Sequence, residues 1–150
     1  MLKLNRITDY AVVVLAQMAR EPERLVTAPQ LAQDAAMPTP TVAKVLKDLA
    51  REGVLESERG AHGGYRLARP PGEITMLRII RALEGPVSLT ACVDGTEGNC
   101  GVESLCPMRG NWDRVNHAIR AALESVSLAD MAIPAPKFDF PAHAPHPAVS

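Results

Sequence analysis

The sequence predicts a mainly α protein with one short β-hairpin and one cysteine-bearing loop. Three observations carry that prediction. Apolar residues recur at helical spacing in five separate stretches. A single hairpin signal occurs, over residues 54–68, with a glycine-rich tip. All three cysteines, Cys92, Cys100 and Cys106, fall in one segment, where Gly95, Gly98 and Gly101 alternate with Asp94, Glu97 and Glu103. That segment holds few large apolar side chains, so it cannot build a core of its own.

The first helix is expected from Thr8, as its cap, through Arg20, with Asp9 in the first turn, where the helix dipole favours an acid. Ile7, Ala11, Val14, Leu15 and Met18 share one face. Residues 11–19, behind Lys3 and Arg6, imitate a signal-peptide core. Asp9 and Gln17 interrupt them, and the run is far too short to span a bilayer. The expectation is a retained, cytoplasmic helix and no membrane partner.

A polar loop over 21–24 leads to a pair of short helices with a sharp break between them. The first is expected over about 28–35. The second is expected to start with Thr39 as cap and Pro40 at the first helical position, where a missing N–H costs nothing. Val42, Val45, Leu46 and Leu49 form its buried stripe. Thr41, Lys44, Lys47 and Asp48 face outward, and Gly53 closes it. This is a helix-turn-helix. Strands at 54–55 and 65–67 follow, joined by the tip Arg59-Gly60-Ala61-His62-Gly63-Gly64. A hairpin directly after a helix-turn-helix is a wing. The tip glycines match neither Walker A nor GxGxxG spacing, so a phosphate loop is not indicated.

Pro70-Pro71-Gly72 is a rigid connector. A helix is expected over 74–83, with Ile74, Leu77, Ile80 and Leu83 inside, Arg78 and Arg81 outside, and Gly85-Pro86 as its end. Residues 87–91 lead into the cysteine loop as an extended segment. After Cys106-Pro107 one long helix is expected to about residue 129. Trp112, Val115, Ile119, Ala122 and Val126 step by 3, 4, 3, 4, the spacing of a coiled-coil seam, which predicts a homodimer. The Pro/Ala/His segment 132–150, including His143 and His146, is expected to be a disordered tail. The divisions are therefore 1–85, a winged helix-turn-helix domain with its wing at 54–68; 86–107, the cysteine loop; 108–131, the dimerisation helix; and 132–150, the tail.

Net charge is −1, but residues 1–69 carry ten Lys/Arg against eight Asp/Glu, and residues 70–150 six against nine. The basic half coincides with the helix-turn-helix, which favours a polyanion partner there. Aromatic residues are too few for base-stacking recognition of single strands. Double-stranded DNA is the expected partner. Thr39, Thr41, Lys44 and Lys47 are placed on the N-terminal half of a recognition helix. Arg59 and His62 on the wing would reach the backbone or minor groove, and Arg66 would add a phosphate contact. No nucleophile–base pair or carboxylate dyad occurs at readable spacing, so neither an enzyme nor a small-molecule substrate is expected.

Three thiols in one glycine-rich loop point to a metal. Thiolate is the soft ligand of iron–sulfur clusters and of zinc. The odd count argues against a disulfide framework. Zinc in a protein-interaction module is one alternative, distinguished by a colourless protein.

The wing string R-G-A-H-G-G-Y-R-L, the opening I-T-D-Y-A-V and three cysteines before a long helix resemble the Rrf-two family, the IscR- and NsrR-like winged-helix regulators. The runs A-L-E-G-P-V-S-L-T-A-C, N-W-D-R-V-N-H-A-I and S-V-S-L-A-D-M resemble the branch that regulates SUF iron–sulfur cluster assembly. The resemblance covers residues 1–131. It implies a homodimeric DNA-binding regulator, expected to be a repressor, with an iron–sulfur cluster on Cys92, Cys100 and Cys106, whose occupancy or redox state controls operator binding. In IscR-like members the fourth ligand is a histidine three residues after the third cysteine; here that position is Arg109, which cannot ligate. In NsrR-like members an aspartate of the partner's opening helix serves, and Asp9 matches it. Asp9 is then either a ligand or only a helix-start acid, with Glu103 and His117 as lesser candidates. The expected cofactor is [2Fe–2S] ahead of [4Fe–4S]. The same fold also serves NO- or redox-sensing repressors.

Overall fold

The computed structural model describes residues 3–90, 107–108 and 110–132. The three cysteines, Glu103, Arg109 and the tail from residue 133 lie outside the described residues. Among those described, six α-helices and one two-stranded antiparallel sheet follow in the order α1 (Arg6–Met18), α2 (Ala28–Ala35), α3 (Thr39–Arg51), β1 (Leu55–Glu58), β2 (Gly64–Leu67), α4 (Met76–Glu84), α5 (Asn111–Glu124) and α6 (Leu128–Ala132). No described helix is long and apolar enough to cross a membrane.

α1 starts earlier than its sequence suggests. Asn5, not Thr8, is the cap: its side chain accepts from the Ile7 N–H at 3.1 Å. Asn is as good a cap as Thr, and here it comes first in the chain. Thr8 instead lies one turn inside, fully buried, and its hydroxyl donates to Glu84 Oε1 at 2.5 Å. A buried hydroxyl needs such a partner. Ala11, Val14 and Leu15 are fully buried and Met18 nearly so, while Ile7 is only half-buried.

α2 occupies the expected residues. Thr27 and Gln30 form a reciprocal capping box at its start. Its end is enforced by Ala36 in the left-handed region, at φ 53°, which turns the chain sharply toward α3. Thr39 does not cap α3. Pro38, with φ −60° and ψ 133°, holds the extended cap position, and Thr39 is the first helical residue. Pro38 has no side-chain acceptor, so no side-chain cap bond forms. Val42, Val45, Leu46 and Leu49 are fully buried, as their spacing predicts.

β1 and β2 pair from Leu55↔Leu67 to Glu58↔Gly64. Val26, just before α2, adds an isolated bridge to Tyr65, with N–H···O distances of 2.9 and 2.8 Å in the two directions. The wing is thereby fixed to the helix-turn-helix. Gly64 permits this approach: a Cβ there would sit 2.7 Å from the Val26 carbonyl oxygen.

α4 begins two residues later than expected. Ile74 is extended and buried, and Thr75 caps the helix by accepting from the Arg78 N–H at 3.2 Å. The buried face is therefore Met76, Leu77, Ile79 and Ile80, with Leu83 only half-buried. The long C-terminal helix is in fact two. α5 ends at Glu124, and Ser127 starts α6 by a second reciprocal cap: Asp130 Oδ2 accepts from the Ser127 N–H at 2.8 Å, and the Ser127 hydroxyl accepts from the Asp130 N–H at 3.2 Å. The Ser127 N–H, and after it the Ser127 hydroxyl, which donates to the same Oδ2 at 2.9 Å, hold the Asp130 carboxyl below the usual carboxylate range. Between the helices the chain runs antiparallel to the start of α4. Met76 N–H donates to the Val126 carbonyl at 2.9 Å, and Leu128 N–H to that of Ile74 at 2.7 Å. The bridge pairs Thr75 with Ser127, and Val126, half-buried against the core beside it, lies beyond the end of α5 and is not a seam position. Leu128 is fully buried in the core formed by α1, α3 and α4.

Leu128→Ala should lower unfolding stability by about 2–5 kcal/mol, the range for a buried leucine whose site cannot collapse. Ser127→Ala should cost about 1 kcal/mol. Urea denaturation measures both. A Leu128→Ala loss no larger than that of Ser127→Ala would remove this residue from the core.

Candidate nucleic-acid interface and its link to the cysteine loop

The burial of Val42, Val45, Leu46 and Leu49 fixes which face of α3 is free. Thr39, Lys44 and Lys47 are exposed, and Thr41 is half-buried. Arg59 and His62 stand exposed at the wing tip; Arg66 is half-buried on β2. The predicted contact residues thus lie on α3 and the adjoining hairpin, and all are reachable from solvent.

Their cations are not equally available. Asp48 Oδ2 accepts from Lys44 Nζ at 2.7 Å, and Asp48 Oδ1 lies 3.3 Å from Arg51 Nη1. The Lys44 hydrogen bond is the largest effect and holds the Asp48 carboxyl below the usual carboxylate range; burial, next in size, opposes it, and the charges of Lys44, Arg51 and Lys47 add to the lowering. On the wing, Arg66 Nε donates to Glu56 Oε2 at 3.1 Å. Among the described residues Lys47 and Arg59 have no such partner. Arg51 and Asp48 complete the charged face. Sequence reading left Arg51 out, although its place three residues after Asp48 is the signal that finds it.

Asp9 is exposed in the first turn of α1, and among the described residues nothing pairs with its carboxylate. It stands next to Thr8, which is bonded to Glu84. The same Glu84 carboxylate accepts from the Asn5 N–H at 2.8 Å. Glu84 therefore ties the start of α1 to the end of α4, and the cysteine loop is approached through Gly85 and Pro86. Further along that approach, the Leu89 N–H donates to Asn116 Oδ1 at 3.2 Å. Asn116 is the one buried polar residue described on α5. On the far side of the loop, Pro107 and Met108 turn into α5 through Gly110, which caps it at φ 81°. Both ends of the loop thus abut α5. The Glu84 and Asn116 links escape sequence reading, because each joins residues far apart in the chain.

Among the described residues no three His, Cys, Asp or Glu converge as a metal site. The donor set for a metal is that of the loop: three thiols within residues 92–106, with the Asp9 carboxylate as an exposed oxygen donor elsewhere. Three sulfurs and one further donor suit an iron–sulfur cluster. His117 is exposed on α5.

A carbon-detected NMR titration should place the Asp48 midpoint below the ordinary carboxylate range. Its ion pairs then contribute above the unfolded-state pKa and fade as pH falls through the depressed native value. Lys44→Ala should move the midpoint upward; no movement would mean that the pair is absent in solution.

The family model for Rrf2, described as an iron-dependent transcriptional regulator, matches residues 4–133. The HTH-type transcriptional regulator NsrR of Bacillus subtilis is 28% identical over 131 residues, covering 87% of this chain and 90% of its own. Among solved structures, CymR, the global cysteine regulator of B. subtilis, superposes with a TM-score of 0.66 at 28% identity, covering 88% of this chain and 97% of its own. IscR of T. potens gives 0.62 at 29%, covering 87% and 85%. With a family model matched over residues 4–133 of a winged helix-turn-helix fold, the chain belongs to the Rrf2 family of transcriptional regulators.

Proposed function

We propose that the chain is an iron–sulfur-cluster-dependent, DNA-binding repressor of SUF cluster-assembly genes, acting as a homodimer. The observation that carries the reading is the donor set of the loop, three thiolates and no other cysteine in the chain, placed in an iron-dependent regulator family. Cys92, Cys100 and Cys106 would hold the cluster, with [2Fe–2S] favoured over [4Fe–4S]. The fourth donor would be Asp9 of the partner subunit, by the match of I-T-D-Y to NsrR-like members; its exposure supports that role. When bound, the cluster supplies a redox-sensitive cross-link between loop and helix.

The rest is work for the protein's own residues. Thr39, Thr41, Lys44 and Lys47 would enter the major groove, with Arg59, His62 and Arg66 on the flanking backbone. Dimerisation is supported by α5, where Trp112 and Val115 are 43% and 44% exposed. A large apolar pair in water on one helix face invites a second copy. Glu84 and Asn116 would carry a change in the loop to α1 and α5. A ligand shifts two DNA-binding states only if it binds them unequally, and a tie between loop and helix meets that condition.

The second reading is an NO- or redox-sensing repressor of the same fold. NO titration of the holo protein on operator DNA separates the two.

Each single change of Cys92, Cys100 or Cys106 to Ala should abolish the visible chromophore of anaerobically prepared protein and leave a folded dimer. Asp9→Asn should alter the cluster's spectrum and narrow the affinity difference between holo and apo protein for operator. A Cys100→Ala protein with full cluster content would sink the thiolate assignment. A wild-type spectrum in Asp9→Asn would move the fourth ligand elsewhere.

A further inference from the structure

We infer that Asp48 sets the DNA specificity of α3 by engaging Lys44 and Arg51, so that these cations are withheld from sequence-independent phosphate contacts. The inference rests on α3 being the groove-facing helix, as proposed above. The geometry on the helix is particular. Asp48 is four residues after Lys44 and three before Arg51, so all three share one face. Its two oxygens are divided between them, Oδ2 to Lys44 and Oδ1 to Arg51. The carboxylate is itself mostly covered, at 16% side-chain exposure, whereas the lysine and arginine are 67% and 64% exposed. A short, mostly covered side chain thus holds two long, exposed ones. Lys47, without a partner among the described residues, is left as the unconstrained cation of the face.

A phosphate approaching this face must displace Asp48 from a cation or tolerate its charge. Exposed ion pairs are weak, so the barrier to exchange is small at an operator, where base contacts add to the phosphate contacts. On arbitrary DNA only phosphate contacts are available, and there the competition counts fully. Asp48 therefore weakens non-specific binding more than specific binding, which is discrimination by an unfavourable charge. The depressed carboxyl of Asp48 keeps it ionised across the neutral range. The same arrangement recurs on the wing, where Glu56 engages Arg66.

The test uses the full-length anaerobic protein, a random-sequence duplex, and duplexes selected by the wild-type protein from a random pool. Asp48→Asn should raise affinity for the random duplex about three- to tenfold at moderate salt. It should steepen the salt dependence by about one to two, as one or two new phosphate contacts require. Affinity for the selected duplexes should rise less, so the ratio between them falls. Adding Lys44→Gln and Arg51→Gln to Asp48→Asn should return the salt slope to the wild-type value or below. If Asp48→Asn leaves both affinities and the slope unchanged while Lys47→Ala weakens binding, the proposal fails and the helix assignment stands. If neither Asp48→Asn nor Lys47→Ala has any effect, α3 is not the DNA-facing helix and both fail. A selective loss on selected duplexes alone would mean that Asp48 reads a base instead.

Discussion

The molecule is built on the burial of one face of α1. Ala11, Val14 and Leu15 are sealed from solvent there, and α2, α3, α4 and α6 all pack on this helix. Apolar burial has no preferred direction, so it alone would leave α1 free to slide or rotate. Two polar contacts remove that freedom. The hydroxyl of Thr8, inside the apolar face, is satisfied among the described residues by Glu84, and the same carboxylate holds the Asn5 N–H. An unsatisfied buried hydroxyl would cost more than the bond contributes, so the contact acts chiefly by excluding other alignments. The helix α3, proposed above to face DNA, packs across α1 and inherits its orientation from this fixed register.

The exposed side of α3 follows a different logic from its buried side. Four apolar residues determine where it sits, and its charges determine what it tolerates. A helix carrying Lys44, Lys47 and Arg51 with no acid between them would attract any polyanion. Asp48 in their midst moderates that attraction. The wing does the same with Glu56 beside Arg66. Both pairs lie within one element or one hairpin, so neither is needed for the fold, and both are free to serve recognition.

Where periodicity was strong, the sequence was legible. α2 lies where its Thr27 start and the Met37-Pro38 break place it, the α3 stripe is buried residue for residue, and the hairpin is where the glycine tip predicts. Errors arose where two neighbouring residues could each take the cap position of a helix. Thr8 lost to Asn5 and Thr39 to Pro38, because backbone conformation, not side-chain chemistry alone, selects the cap. The largest error was reading one helix across 125–127. A 3, 4, 3, 4 spacing continued through Val126 by coincidence, while the S-V-S-L-A-D signal for a fresh cap went unweighted. The candidate interface was legible because its residues are adjacent on α3 and the wing. The Glu84 and Asn116 links were not, since a buried hydrogen bond between distant residues leaves no periodic trace.

The return of the chain at Ser127 also bears on how the protein is made. Leu128 completes the apolar core that α1 to α4 begin, yet it is synthesised after all three cysteines. A nascent chain therefore cannot close its DNA-binding half until the cysteine loop and α5 have left the ribosome. A product cut short within or just after the loop lacks a fully buried leucine and the rung that pairs it to Ile74. Order of synthesis thus ties the competent reader of DNA to the presence of the segment that would govern it, and a truncated message yields an unfinished core instead of an ungoverned regulator.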